Sequence, residues 1–158
     1  MWPILVVHGD LPPSRREDTM FRGMATISFY ADDVPAARDW YAQLLGKQAY
    51  YAYPPESATP AYVEFRVGDD EDELGIIDRR YAPGGASNPP GGAVVFWHVD
   101  NLDAVLGTLL DMGATQYEAR TEREAGFVTA SVTDPFGNVL GIMYNPHHAE
   151  VIAARQRA

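Results

Sequence analysis

A chain of 158 residues with 46% hydrophobic and 22% charged content is long enough for one domain with a sizeable core. Its formal charge of −10 repels duplex DNA and anionic membranes, so neither nucleic acid nor membrane is expected as a partner. The absence of cysteine removes disulfides, thiolate ligands and thiol nucleophiles; Met1–Val7 lacks the basic lead of a signal peptide, and a cytoplasmic location is expected.

Residues 1–23 are Pro-rich and aperiodic and read as an N-terminal extension. Ala25–Ala31 alternates as a strand, with Ile27 and Phe29 on one side. Asp32-Asp33 offers N-cap chemistry and Pro35 suits a first helical turn. Val34, Ala37, Trp40, Tyr41, Leu44 and Leu45 then fall at helical spacing, and Gly46 ends the helix. Strand-like runs follow at Gln48–Tyr53, Ala61–Val67 and Leu74–Asp78, and a Pro/Gly-rich connection, Ala82–Gly92, closes this half.

The same order then returns. Ala93–Val99 reads as a strand, Asp100-Asn101 as a turn, and Leu102–Met112 as a helix stopped by Gly113. Runs Thr115–Ala119, Phe127–Thr133 and Val139–Tyr144 complete the second half, the last two joined by the turn Asp134–Asn138. Asp33 to Gly46 and Asp100 to Gly113 span the same distance, which marks a duplication. The expected fold is α+β: two βαβββ modules with mixed sheets, helices on the outer faces and a cleft between the sheets. Module one covers 24–81 and module two 92–146 of a domain spanning 24–146, and the tail 147–158 is expected to be helical.

Asp33-Val34, Trp40-Tyr41 and Leu44-Leu45-Gly46 in the first half, with Val99–Leu102 and Asp134–Asn138 in the second, give the chain a pattern that resembles the vicinal-oxygen-chelate superfamily of glyoxalases, bleomycin-resistance proteins and ring-cleaving dioxygenases. The resemblance implies the two-module fold, commonly in a homodimer. It also implies where the metalloenzymes of that group carry their ligands: those positions fall at Thr26, Val94, Gly141 and, by the loosest correspondence, Gly75. A divalent metal needs three or four carboxylate or imidazole donors, and none of these residues is one. No metal ligands and no cofactor are therefore expected.

If the metal-equivalent positions face the cleft, strand parity places Ser28 and Tyr30 with Thr26, Phe96 and His98 with Val94, and Met143 with Gly141. Tyr50, Tyr51, Tyr53, Tyr62, Phe65, Tyr117 and Phe127 lie where the cleft rim could be, with Tyr51 and Tyr53 on one face, although tyrosines on strands are also ordinary half-buried sheet residues. The expected ligand-binding set is thus Ser28, Tyr30, Tyr51, Tyr53, Phe96, His98, Phe127 and Met143. His98 is the candidate acid or base if the protein is an enzyme, and equally a structural histidine at a strand end. His147-His148 reads as a surface pair, Asp69–Glu73 as an exposed hairpin tip, and Glu64 as solvent-facing unless the cleft claims it; His8 belongs to the extension.

Two functions compete. An aromatic cleft without metal ligands suits a protein that sequesters a hydrophobic aromatic compound, as antibiotic-resistance members of the resembled group do. The alternative is a metal-independent isomerase, cyclase or lyase acting on a secondary metabolite. A ligand-free regulatory module and a metalloenzyme with displaced ligands stand behind both.

Overall fold

The computed structural model of the chain describes residues 25–82 and 90–157. The expected extension 1–23, with His8, lies outside them, as do residues 83–89 of the Pro/Gly-rich connection. Strand β1 (Thr26–Ala31), helix α1 (Val34–Leu45) and strands β2 (Tyr51–Tyr53), β3 (Tyr62–Val67) and β4 (Asp72–Asp78) form the first module. Strand β5 (Val95–His98), helix α2 (Leu102–Asp111) and strands β6 (Thr115–Glu122), β7 (Val128–Thr133) and β8 (Val139–Tyr144) form the second, and helix α3 (Pro146–Gln156) follows. The sheets run β1-β4-β3-β2 and β5-β8-β7-β6; in each the first strand is parallel to its neighbour and the remaining pairs are antiparallel.

Local chemistry sets these boundaries. Each helix starts at a side-chain cap: Asp33 Oδ1 accepts from Ala36 N, Asn101 Oδ1 from Ala104 N and Asn145 Oδ1 from His148 N. Gly46 closes α1 with φ 65°, a left-handed conformation that a Cβ disfavours. Parity then decides the layers. Phe29, Val63, Phe65, Leu74, Ile76, Val132, Leu140 and Ile142 are buried under the helices with Val34, Ala37, Tyr41, Leu102 and Leu109. Four strands differ from the sequence expectation by two residues or more at one end; one is β5, expected over Ala93–Val99 and formed only over Val95–His98. Strand β2 is shorter, because only Tyr51–Tyr53 pair with β3. Strand β4 begins at Asp72, two residues earlier, since Asp72 and Glu73 pair with Val67 and Arg66. Strand β6 runs on to Glu122 through two register shifts; it is exposed along nearly its whole length, so its polar second half carries no alternation to read.

The two modules meet along a seam between edge strands β1 and β5, and one end of that seam is clamped. The Asp134 carboxylate accepts from the Phe136 and Asn138 backbone N–H groups through Oδ1 and from the Asn138 amide through Oδ2. The phenol of Tyr41 on α1 donates to the same Oδ2 at 2.6 Å. Burial first, and then the Asp134 charge, push the Tyr41 phenol well above its ordinary pKa, which keeps the proton on the donor. Asn138 in turn pairs with both the N–H and the carbonyl of Tyr30, at 2.9 and 3.0 Å. The Arg79 guanidinium donates to the Phe136 and Tyr30 carbonyls, and Trp40 Nε1 donates to the Met112 carbonyl at the end of α2. The helices therefore touch across the seam, and both sheets turn their opposite faces to the same open side. Among the described residues no helix is long and apolar enough to cross a membrane.

Because Asp134 and Tyr41 are almost fully buried, losing either leaves buried partners unsatisfied. Tyr41→Phe is expected to cost about 1.5–3 kcal/mol and Asp134→Ala about 2–4 kcal/mol in urea unfolding, with the double variant costing less than the sum. Strict additivity would show that the two groups do not act as one clamp.

Candidate functional site

Register across each sheet builds the open face row by row. Tyr51, Glu64, Gly75 and Ser28 lie side by side across the first sheet. Phe96, Gly141, Ser131 and Glu118 lie side by side across the second. The two glycines occupy equivalent places and are filled from outside. A Cβ on Gly141 would stand 2.8 Å from Phe96 Cδ1, 2.9 Å from Val94 Cγ1 and 2.9 Å from the Val95 carbonyl; one on Gly75 would stand 2.8 Å from the Tyr62 ring. Aromatic rings thus crowd the two glycines, positions at which the resemblance implies metal ligands. With Thr26 and Val94 at the other two positions, the set supplies no imidazole and no carboxylate. These residues do not fit a divalent metal. Among the described residues no three His, Asp or Glu side chains come together as a set that could hold one.

Beside the glycines, the first sheet carries an acid–phenol cluster. Tyr50 donates to Glu64 and lies 3.2 Å from Glu73 Oε1, Tyr62 donates to the other oxygen of Glu64, and Thr26 donates to Glu73 at 2.9 Å. The Arg66 guanidinium stacks 4.3 Å over the Tyr50 ring. Burial and then the neighbouring Glu73 push the Glu64 carboxyl above the usual carboxylate range, partly offset by Arg66. Burial, Glu73 and Tyr51 raise the Tyr62 phenol, which stays the donor.

A cavity of about 260 Å³ opens at the other end of the seam, between β5, the β3–β4 hairpin and α3. Its lining mixes residues of helix-side parity, such as Ile27 and Trp97, with Phe96, Glu73 and His98 of open-face parity, so it lies in the gap between the sheets. His98 Nδ1 accepts from the Asn145 N–H at 3.1 Å, and its ring lies 5.0 Å from that of His148.

The expected ligand-binding residues divide. Ser28, Tyr30, Phe96 and Met143 lie on the open-face side of β1, β5 and β8, as parity implied. Tyr51 and Tyr53 are exposed on β2, next to Glu64 and Tyr62. Phe127 sits ahead of β7, at the end of a 3-10 turn. Only Phe96 and His98 of the set line the cavity. Glu64 is not on a plain solvent face: its row is that of Gly75 and Ser28, and two phenols hold it. His148 is exposed, as expected of a surface pair, yet docking of α3 brings it against His98. The acidic run is the exposed hairpin tip anticipated, but it also lines the cavity. Tyr50 and Tyr62, rim candidates left outside the expected binding set, and Glu73, expected only as part of the hairpin tip, join Glu64 in this cluster, whereas the rim candidate Phe65 is buried under the helices; the sequence could not pair them because strand parity does not say which face is open.

With this geometry established, comparison with known proteins gives one family and many similar folds. The model of the Glyoxalase/Bleomycin resistance protein/Dioxygenase superfamily matches residues 23–142. No curated protein matches the chain. Among solved structures, a member of that superfamily from Sphaerobacter thermophilus is similar at 17% identity, covering 80% of this chain and 100% of its own with a TM-score of 0.63. TioX from Micromonospora sp. ML1 is 15% identical over 77% of this chain and 98% of its own, with a TM-score of 0.58. Lactoylglutathione lyase from Agrobacterium tumefaciens is 17% identical over 78% and 94%, with a TM-score of 0.59. At such identities the likeness is one of fold.

The raised Glu64 carboxyl has a signed consequence. Its charged form is disfavoured in the folded state, so stability is greatest with the proton on and falls as pH rises from the unfolded carboxylate range through the higher folded value. Glu64→Gln cannot ionise and escapes that loss. In thermal melts the variant is expected to gain on the parent as pH rises from about 4 to 7, by a few degrees at most for so exposed a site. A variant that loses ground over that range would show that Glu64 is stabilised as the anion.

Proposed function

The chain belongs to the glyoxalase/bleomycin resistance protein/dioxygenase superfamily, and from that premise we propose that it sequesters a small hydrophobic aromatic compound on its open face without using a metal. The observation that carries this reading is the pair of filled glycines: Tyr62 lies across Gly75 and Phe96 across Gly141. Rings stand where chelating side chains would be needed, and they offer π faces instead. Tyr51 and Phe96 are 47% and 37% exposed, enough free aromatic surface for a planar ligand to stack on and bury. Ser28 and the Glu64 phenol cluster supply the few polar points that orient it.

A metal-independent enzyme is the second reading, favoured by one observation: Glu64 and Glu73 are linked through the Tyr50 phenol. Paired carboxyls with a raised member are acid–base equipment. The buried Nε2 of His98 makes that residue a weaker candidate.

Intrinsic fluorescence titration with a panel of planar aromatic antibiotics tests the proposal, followed by mass spectrometry of the recovered compound. Saturable binding with unchanged mass is expected, and Tyr51→Ala and Phe96→Ala should each weaken it about tenfold. A changed mass would transfer the conclusion to the enzyme reading, and full affinity in both variants would move the ligand off this face.

A further inference from the structure

We infer that helix α3 is a pH-sensitive cover on the cavity at the unclamped end of the seam, latched by the His98 ring in its neutral form and released when that ring takes a second proton. The hairpin turn at this end, Gly68–Asp72, follows the path of Asp134–Asn138. Glu71 and Gly137 both hold positive φ, 55° and 92°, and each N–H donates to the carbonyl three residues back. The turn carries no counterpart of the clamp, because Gly68 stands where Asp134 does. Among the described residues no hydrogen bond joins it to β5, and a cavity of about 260 Å³ is left. His148, Ile152 and Arg155 of α3 close over it.

This cover is lightly held. No residue of α3 is fully buried. Towards its far end Arg155 Nη1 lies 2.7 Å from both oxygens of Asp70, an exposed ion pair of a kind that contributes little. Its near end depends on one imidazole. Asn145 caps α3 through Oδ1, and its own backbone N–H donates to His98 Nδ1 at 3.1 Å, just past the last pair of the β5–β8 ladder. With Nδ1 accepting, the neutral ring carries its proton on Nε2. A second proton has only Nδ1 to go to, and there donor meets donor and the bond to Asn145 is lost. Asp100 Oδ1, 3.6 Å from Nε2, lies beyond hydrogen-bond reach of the neutral ring yet close enough to draw an imidazolium towards itself. The ring thus has two partners, Asn145 when neutral and Asp100 when charged. Imidazole is the side chain that ordinarily changes charge between about pH 5 and 8. The docked helix requires the neutral form, so docking is complete on the alkaline side of that window and is lost as the pH falls through it.

The surrounding groups do not cancel the effect. The His148 ring of α3 lies 5.0 Å from that of His98, and a second imidazolium there repels the first. Tyr144 of β8 packs its ring 5.6 Å away. Across the cavity Asp69, Asp72 and Glu73 attract an imidazolium, as Asp100 does, but the Asn145 N–H occupies Nδ1. Asp70 is held below the usual carboxylate range by its bonds to Arg155, so the far tie keeps its charge throughout.

Hydrogen exchange of the full chain, read by mass spectrometry and corrected for the intrinsic effect of pH, tests the inference. Protection of peptides within residues 146–157 is expected to fall roughly tenfold from about pH 7.5 to 5.5, while β7 and β8 keep theirs. His98→Asn sets an amide oxygen near the place of Nδ1 and cannot titrate, so its α3 should stay protected at both pH values. Asp100→Asn, an exposed position, should move the midpoint of release down by a few tenths of a pH unit. The parent alone gives an independent reading in ¹⁵N–¹H NMR, whether or not the His98 variant folds: the Asn145 amide signal should move with the midpoint at which the His98 ring protonates. Protection of α3 that ignores pH would overturn the inference, as would an Asn145 amide that does not follow His98. So would a folded His98→Asn chain that loses α3 protection in acid as the parent does, or a midpoint in Asp100→Asn at or above the parent's.

Discussion

The buried hydrogen bond from Tyr41 to Asp134 is the interaction on which the rest of the molecule depends. It joins a helix of one module to a turn of the other across 93 residues. Through Asn138 the same carboxylate reaches the backbone of Tyr30, and so fixes the end of β1 against the start of β8. Two four-stranded sheets with one helix each could pack in several ways. A buried acid that must satisfy four donors at once admits few of them, which is how a polar contact can specify an arrangement that apolar burial alone leaves loose. With β1 and β5 at the facing edges of the two sheets and the helices touching on one side, both open faces look the same way.

Duplication without symmetry accounts for what the molecule offers beyond its fold. The two hairpins that follow the same path carry different residues, so one end of the seam is locked and the other is hollow. On the open face the duplication is kept: Gly75 and Gly141 both lack a side chain and both are covered by a ring. At Gly141 the constraint is backbone as well as side chain, because a Cβ would meet the Val95 carbonyl. A carboxylate there would have to displace β5 itself, whereas at Gly75 only a tyrosine would have to move.

Much of the architecture was legible in the residues. Helix α1 could be read to its ends, because Asp33, the apolar spacing and Gly46 are local signals; β8 was equally plain from its apolar run and the preceding turn. What failed to show was whatever depends on another part of the chain. Strand β6 is an exposed edge, and its polar sequence carries no imprint of a core. Asp134 announced a turn but not a clamp, since Tyr41 looks like any apolar position of an amphipathic helix. The surroundings of Glu64 and His148 were out of reach for the same reason: parity gives two faces without saying which one is open, and only the docking of α3 brings the exposed His148 ring to His98. Strand parity puts Ser28, Tyr30 and Phe96 on the side of the sheets away from the helices, while the cavity draws on hairpin and C-terminal residues that strand parity could not reach.

Thr26, Gly75, Val94 and Gly141 give the open face no chelating side chain at the positions where the resemblance implies metal ligands. The most direct test of the proposed metal-free binding is the metal content of the full chain, purified without chelator and then dialysed to equilibrium against zinc, iron(II) and manganese in turn. The arrangement of Thr26, Gly75, Val94 and Gly141 predicts that each metal is retained far below one equivalent per chain. Retention of any of them near one equivalent, lost on adding a chelator, would contradict it.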